Sequence, residues 1–203
     1  MTPKEFVQYL QGIETPDNHS FNFYRQSFRT SDDNSLVSNN LELYLSKMQQ
    51  LNPTVLLVGE APGYKGCKLT GVPFTSEYQI VHDDFFADGF EVLDDASIDK
   101  EKSATAIWSV LCQVKNKPLM WNIYPFHSVA IGGGNGKPRS CDIKLGREIL
   151  DLLLQMFNIK DIYCLGRKAS DAMCRHPQYC GYIRHPSFGG QSECLSRLRE
   201  ILK

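Results

Sequence analysis

Apolar residues along the chain follow two rhythms that alternate. Short continuous apolar runs, such as Val55-Leu56-Leu57-Val58, read as strands covered on both faces. Between them, apolar positions recur at spacings of three and four, the period of a helix with one buried face. Thr2-Pro3-Lys4-Glu5 opens the first helix, with a capping Thr, Pro at the first helical position and Glu three residues after the cap; this helix runs to about Leu10. A polar stretch follows to about Asn34, and Leu41, Tyr44, Leu45 and Met48 then mark a second helix that ends before Asn52-Pro53. After the first strand, Ile107, Leu111 and Val114 predict a helix leading into a second strand, Leu119 to Ile123. Ile149, Leu152, Leu153 and Met156 predict a long amphipathic helix before a third strand, Asp161 to Leu165, and Gly166 to Cys174 a short one after it. Tyr182-Ile183 belongs to a fourth strand ending at Arg184, and Leu195, Leu198, Ile201 and Leu202 describe the last helix. Strands that alternate with helices imply an α/β fold, here a three-layer α/β/α sandwich around a mostly parallel four-stranded sheet.

At 203 residues and 23.0 kDa the chain suits one domain, residues 1–203, with residues 1–50 as an N-terminal helical part. Residues 83–101 hold 8 acidic side chains and read as an exposed loop or insertion, facing away from any phosphate backbone. The run from Gly132 to Gly136 reads as a mobile connector, because no Lys-Ser or Lys-Thr pair follows it as a phosphate-binding loop requires. The apolar runs are too short to cross a bilayer, and the first residues lack a basic flank and apolar core, so a cytoplasmic protein is expected. Seven cysteines, with no Cys-x-x-Cys pair, fit reduced and mostly buried thiols rather than disulfides, a structural metal or an iron–sulfur cluster. No metal or organic cofactor is expected.

The net charge of −1 hides an asymmetry. Residues 1–136 carry 10 Lys and Arg against 16 Asp and Glu, whereas residues 137–203 carry 12 against 7. A localised basic face binds phosphate in spite of a neutral total, because Coulomb attraction between exposed charges is screened beyond about 10 Å. An uneven but merely solvated surface accounts for the same numbers.

In parallel sheets, ligands bind where strand carboxyl ends meet loops. Strand one delivers Gly59-Glu60-Ala61-Pro62-Gly63 and then Thr70-Gly71-Val72-Pro73-Phe74; strand two delivers Asn122 and, soon after, Pro125-Phe126-His127; strand four delivers His185-Pro186-Ser187. Each is explicable alone as a turn or cap, but their placement at one sheet edge points to a site.

Taken together these segments resemble the uracil-DNA glycosylase superfamily. Gly59-Glu60-Ala61-Pro62-Gly63 is similar to the first signature of its bacterial and archaeal branch and His185-Pro186-Ser187 to the second, with Thr70–Phe74 and Asn122 in order between them. The resemblance spans roughly residues 54–203. It implies a monofunctional hydrolase that removes uracil, or another deaminated base, from DNA and leaves an abasic site. The partner is then DNA carrying such a base, and a monomer is expected.

The resemblance also implies roles. A base inside a duplex must be flipped out at a cost of a few kcal/mol, and Phe74 would return part of that by stacking, worth about 1–3 kcal/mol per base. The amide of Asn122 both donates and accepts, matching the adjacent carbonyl and N–H of uracil. Bond cleavage separates a cationic sugar from an anionic base, so His185 is the expected donor to the base and Glu60 the carboxylate beside the sugar or its water. Backbone amides around Glu60, Ala61 and Gly63 face the same region. Arg184, Ser187 and Gly189, before the last helix, suit a phosphate, and Phe188 an apolar wedge.

Two departures stand out. The best-studied branch has an Asp that orients the attacking water where this chain has Ala61, and the branch with the matching signature carries cluster-ligating cysteines near its amino terminus, whereas this chain has no Cys before Cys67. Glu60 is then either a catalytic carboxylate or a loop anchor. His127 either touches phosphate or closes its loop, and His176 sits on a surface turn. A non-catalytic nucleic-acid or nucleobase-binding module with the same pocket is the rival reading, and hydrolysis of free nucleosides a third.

Overall fold

A computed structural model describes residues 1–15, 19–25, 35–94 and 96–203. In chain order its elements are α1 (Pro3–Gly12), β1 (Ser20–Phe21), α2 (Ser35–Leu51), β2 (Val55–Gly59), α3 (Cys67–Thr70), α4 (Glu77–His82), a 3-10 turn (Asp84–Phe86), α5 (Lys102–Leu111), β3 (Leu119–Asn122), β4 (His127–Ser128), α6 (Ser140–Leu154), β5 (Asp161–Leu165), α7 (Arg167–Met173), β6 (Tyr179–Ile183) and α8 (Gln191–Ile201). The main sheet has the order β3-β2-β5-β6, every neighbouring pair parallel, and helices flank it. This is the α/β architecture that the alternating pattern predicts. β1 and β4 form a separate antiparallel pair that the periodicity does not reveal. Of the polar stretch expected up to Asn34, residues 16–18 and 26–34 lie outside the described residues.

Local chemistry sets the boundaries. Thr2 and Glu5 form a reciprocal capping box that starts α1. Leu56, Leu57 and Val58 are fully buried, as befits a central strand between two helical layers. β3 is an edge strand, and the Tyr44 hydroxyl of α2 accepts from its Met120 N–H at 2.8 Å, which satisfies a backbone donor that would otherwise face the core unpaired. Phe6 of α1 meets Trp121 of the same strand edge-on, with ring centroids 5.6 Å apart.

Most described residues of the acidic segment are exposed, but it is tied to the fold at several points. Phe85 and Phe86 turn inward against Trp108 of α5, at centroid distances of 5.5 and 4.9 Å, and Asn40 of α2 both donates to the Glu91 carbonyl and accepts from its N–H. Two aromatic residues anchor a segment of eight acids, because burying an aromatic side chain is worth about 1.5–3 kcal/mol. The Gly132–Gly136 run, read as a mobile connector, is pinned at Asn135, which pairs with Val129 as an antiparallel bridge and accepts from the Tyr64 N–H at 2.8 Å. The cysteines are free, but only Cys67, Cys164 and Cys194 are buried; Cys112, Cys141, Cys174 and Cys180 are exposed. No helix among the described residues is long and apolar enough to cross a membrane.

Gly146 lets α6 lie directly on the chain that leaves β3. A Cβ there would overlap the Ile123 carbonyl and crowd the Tyr124 Cα at 3.2 Å. Gly146→Ala is therefore expected to destabilise the fold by about 1–3 kcal/mol or more in a denaturant melt, because backbone on the far side of the contact cannot swing away as a side chain does.

Candidate functional site

β2 and β3 end in register, Gly59 opposite Asn122, and the pairing continues as Ile123 N–H donates to the Gly59 carbonyl at 2.8 Å and Tyr124 N–H to the Glu60 carbonyl at 3.1 Å. Asn122 is buried, and its side chain leans over Gly59. So does Phe74. A Cβ on Gly59 would stand 2.5 Å from Phe74 Cζ and 2.7 Å from Asn122 Oδ1, so both groups converge over a strand end that is open only because it carries no side chain.

Phe74 reaches that point at a conformational cost, with φ at +55°. Its surroundings fix it there: the Trp108 indole N–H lies 3.1 Å from the Phe74 carbonyl and 3.3 Å from Thr75 Oγ1. Upstream, Tyr24 donates to the Gly71 carbonyl and Asn40 to that of Thr70, each at 3.0 Å. Gly71 has φ +78°, and a Cβ there would overlap the Val37 carbonyl. The N-terminal part thus braces the loop that presents Phe74.

On the other side of β2, the segment after β6 closes the cavity. Ser187 N–H donates to His185 Nδ1 at 3.2 Å, so that nitrogen is unprotonated and the proton of the neutral ring sits on Nε2. Burial pushes the His185 pKa down, which keeps the ring neutral. Gly190 is required here, since a Cβ would overlap the His185 carbonyl and stand 2.7 Å from Arg184 Nε. Phe188, at φ +52°, is fully exposed. Arg184 faces back into this loop, with Nη2 3.5 Å from the Phe188 carbonyl and Nη1 3.7 Å from a Glu193 carboxylate oxygen.

Between these walls lies a cavity of about 430 Å³. Of the residues singled out from sequence, Glu60, Ala61, Gly63, Phe74, Asn122, His185, Ser187 and Phe188 line it; Arg184 and Gly189 do not, and serve the loop behind it. Glu60 is half-buried, which raises its pKa, and the ammonium groups of Lys168 and Lys137 oppose that rise only in part. Its carboxylate makes no hydrogen bond or ion pair among the described residues, contrary to the loop-anchor reading. His127 is that anchor: it is buried, and its Nδ1 donates to the Pro62 carbonyl at 2.9 Å, which leaves no face for a phosphate. His176 occupies the expected turn, accepting from Gln178 N–H at 3.3 Å.

Sequence reasoning missed Glu101, Ser103, Asn135 and the Gly166-Arg167-Lys168 segment, all of which line the cavity. The last follows β5 directly, so the rule applied to the other three strand ends would have found it. Glu101 had no such signal, lying in a run read as surface. A second hollow of about 590 Å³ beside α6 and α7, with Arg147, Asp171 and His176 in its wall, contains none of the proposed site residues. Among the described residues no group of three His, Cys, Asp or Glu is placed to hold a metal.

Burial pushes the His127 pKa down as well, against the opposing pull of the Pro62 and Gly134 carbonyls. A histidine held below its ordinary value contributes stability that is complete above the unfolded pKa of about 6.5 and is lost as pH falls through the folded one. Both imidazoles should therefore titrate below that value by NMR, and the stability advantage of wild type over His127→Gln should shrink between about pH 7 and pH 5.

The solved structure of wild-type SMUG2 from Pedobacter heparinus superposes with a TM-score of 0.66 at 15% identity, covering 99% of this chain and 98% of that one, which is a likeness of fold. No curated protein matches the chain. A family model described as the uracil DNA glycosylase superfamily matches residues 46–200, most of the chain and every cavity residue named above. With that span matched, the chain belongs to the uracil DNA glycosylase superfamily.

Proposed function

We propose that the protein excises uracil from DNA, and by the same chemistry other deaminated bases, by hydrolysing the N-glycosidic bond without a metal or organic cofactor. The observation that carries this reading is the convergence of the Phe74 ring and the Asn122 amide over Gly59, in one cavity with His185. Phe74 supplies a face for stacking and Asn122 a donor and an acceptor for the base edge. A volume of about 430 Å³ accommodates a single nucleoside.

In this reaction the C1′–N1 bond breaks with its electron pair leaving on the base, and the charge spreads to O2. The neutral His185 ring, with its proton on Nε2, donates to that oxygen; donors held at a site of developing charge are worth about 10²–10³ in rate each. Glu60, whose pKa burial raises and whose carboxylate form the nearby Lys168 and Lys137 favour, stabilises the cationic sugar. Water adds to C1′ and leaves an abasic site. Phe188 suits the space vacated in the duplex, since a fully exposed aromatic ring held at positive φ is costly unless a partner covers it. Arg167 and Lys168 at the cavity and Lys137 nearby place part of the basic C-terminal charge where a DNA backbone would pass.

One observation favours the non-catalytic binding module: Ala61 lines the cavity where the best-studied relatives have a water-orienting Asp. An oligonucleotide with a single uracil, followed by alkali, separates the two readings. Wild-type protein is expected to produce strand scission, Asn122→Ala and His185→Ala each to lose about a hundredfold or more in rate while remaining folded. Binding of uracil-containing DNA by folded wild-type protein without any scission would establish the binding module instead.

A further inference from the structure

Glu101 immediately precedes α5, inside the run whose charge suggested a solvent-facing loop, yet it lines the same cavity as Ala61, Asn122 and His185. Its two carboxylate oxygens fill the places that side chains at Gly63 and Gly66 would occupy: a Cβ on Gly63 would overlap Oε1, and one on Gly66 would overlap Oε2. The loop after β2 is therefore shaped around this carboxylate. Ser103, in the first turn of α5, lines the cavity beside it.

Nothing in the fold explains the charge itself. Among the described residues the Glu101 carboxylate makes no hydrogen bond or ion pair, and it does not cap its own helix. A carboxylate withdrawn from water without a partner is costly, and an amide or an apolar side chain of the same length would fill the gap between two glycines more cheaply. Its surroundings also differ from those of Glu60. Glu60 lies in the field of two lysines, whereas burial alone acts on Glu101 and raises its pKa. Two carboxylates in one cavity with different electrostatic neighbours are suited to different tasks.

We propose that Glu101 is a second catalytic carboxylate of this cavity, which binds the water that attacks C1′ and accepts its proton, the task for which Ala61 has no functional group. The inference rests on the glycosylase reading above. As the C1′–N1 bond breaks and its electron pair leaves with the base, a lone pair of the water oxygen forms the new C1′–O bond. The water proton passes to a Glu101 oxygen and is then released to solvent, where the base anion takes up a proton. Water is the only co-reactant. Glu60 takes no proton in this step and faces the sugar's positive charge.

The test uses single-turnover cleavage of a uracil-containing oligonucleotide, with affinity measured separately on an oligonucleotide carrying the non-cleavable 2′-fluoro analogue of deoxyuridine. Glu101→Gln is expected to lower the cleavage rate by about a hundredfold or more, the lower range for loss of a general base, with affinity for the analogue within about twofold of wild type. Sodium formate is expected to restore part of the rate to Glu101→Ala by occupying the vacated space, and to leave wild type unchanged. Wild-type rates in Glu101→Gln would overturn the proposal while leaving the glycosylase reading intact. So would a parallel loss of affinity, an absence of formate rescue, or failure of Glu101→Gln to fold, because each would mark the carboxylate as structural. If wild type itself cleaves nothing, the glycosylase reading is what fails.

Discussion

The site depends on a missing side chain. β2 ends at Gly59 with only a hydrogen where any other residue would place a carbon, and Phe74 and Asn122 approach that point from a loop and from the neighbouring strand. Both side chains are held there by groups of other elements. The register of β2 with β3 fixes Asn122, and Trp108, Tyr24 and Asn40 fix the backbone that carries Phe74. The positive φ of Phe74 is tolerated because these bonds over-determine it. A parallel sheet supplies the floor, and strained or glycine-dependent loops at its carboxyl ends supply the walls of the cavity.

Charge in the cavity is arranged by burial more than by pairing. His185 is kept neutral because it is withdrawn from water, and the Ser187 amide then decides which nitrogen holds the proton. Glu60 and Glu101 are both raised by the same withdrawal, but the lysines offset it only at Glu60. Three titratable groups in one hollow are thus differentiated by their neighbours, and a reaction that separates charge benefits from fixed groups whose protonation states do not drift together.

The architecture was legible because the main strands are short apolar runs and the long helices keep one apolar face, so hydrophobic period alone separates them. The strand-end residues were legible for a further reason: Gly59, Asn122 and His185 sit at strand carboxyl ends, where ligands bind in parallel sheets. Other features escaped for physical causes. α3, α4 and the β1–β4 pair are too short for any periodicity to register. The 83–101 segment carries a surface-like charge, and only the inward turn of Phe85 and Phe86 betrays its packing. Glu101 could not be read at all, because its meaning comes from the two glycines against which its carboxylate packs.

The family match begins at residue 46, so α1 and most of α2 lie outside it, although Tyr24 and Asn40 brace the Phe74 loop and Tyr44 ties down the strand that carries Asn122. Two walls of the cavity are consequently braced from outside the shared segment. Two relatives with identical signatures can hold the same aromatic ring and the same amide at different angles if their leading helices differ, and so sort bases differently without a single change among the residues that touch them.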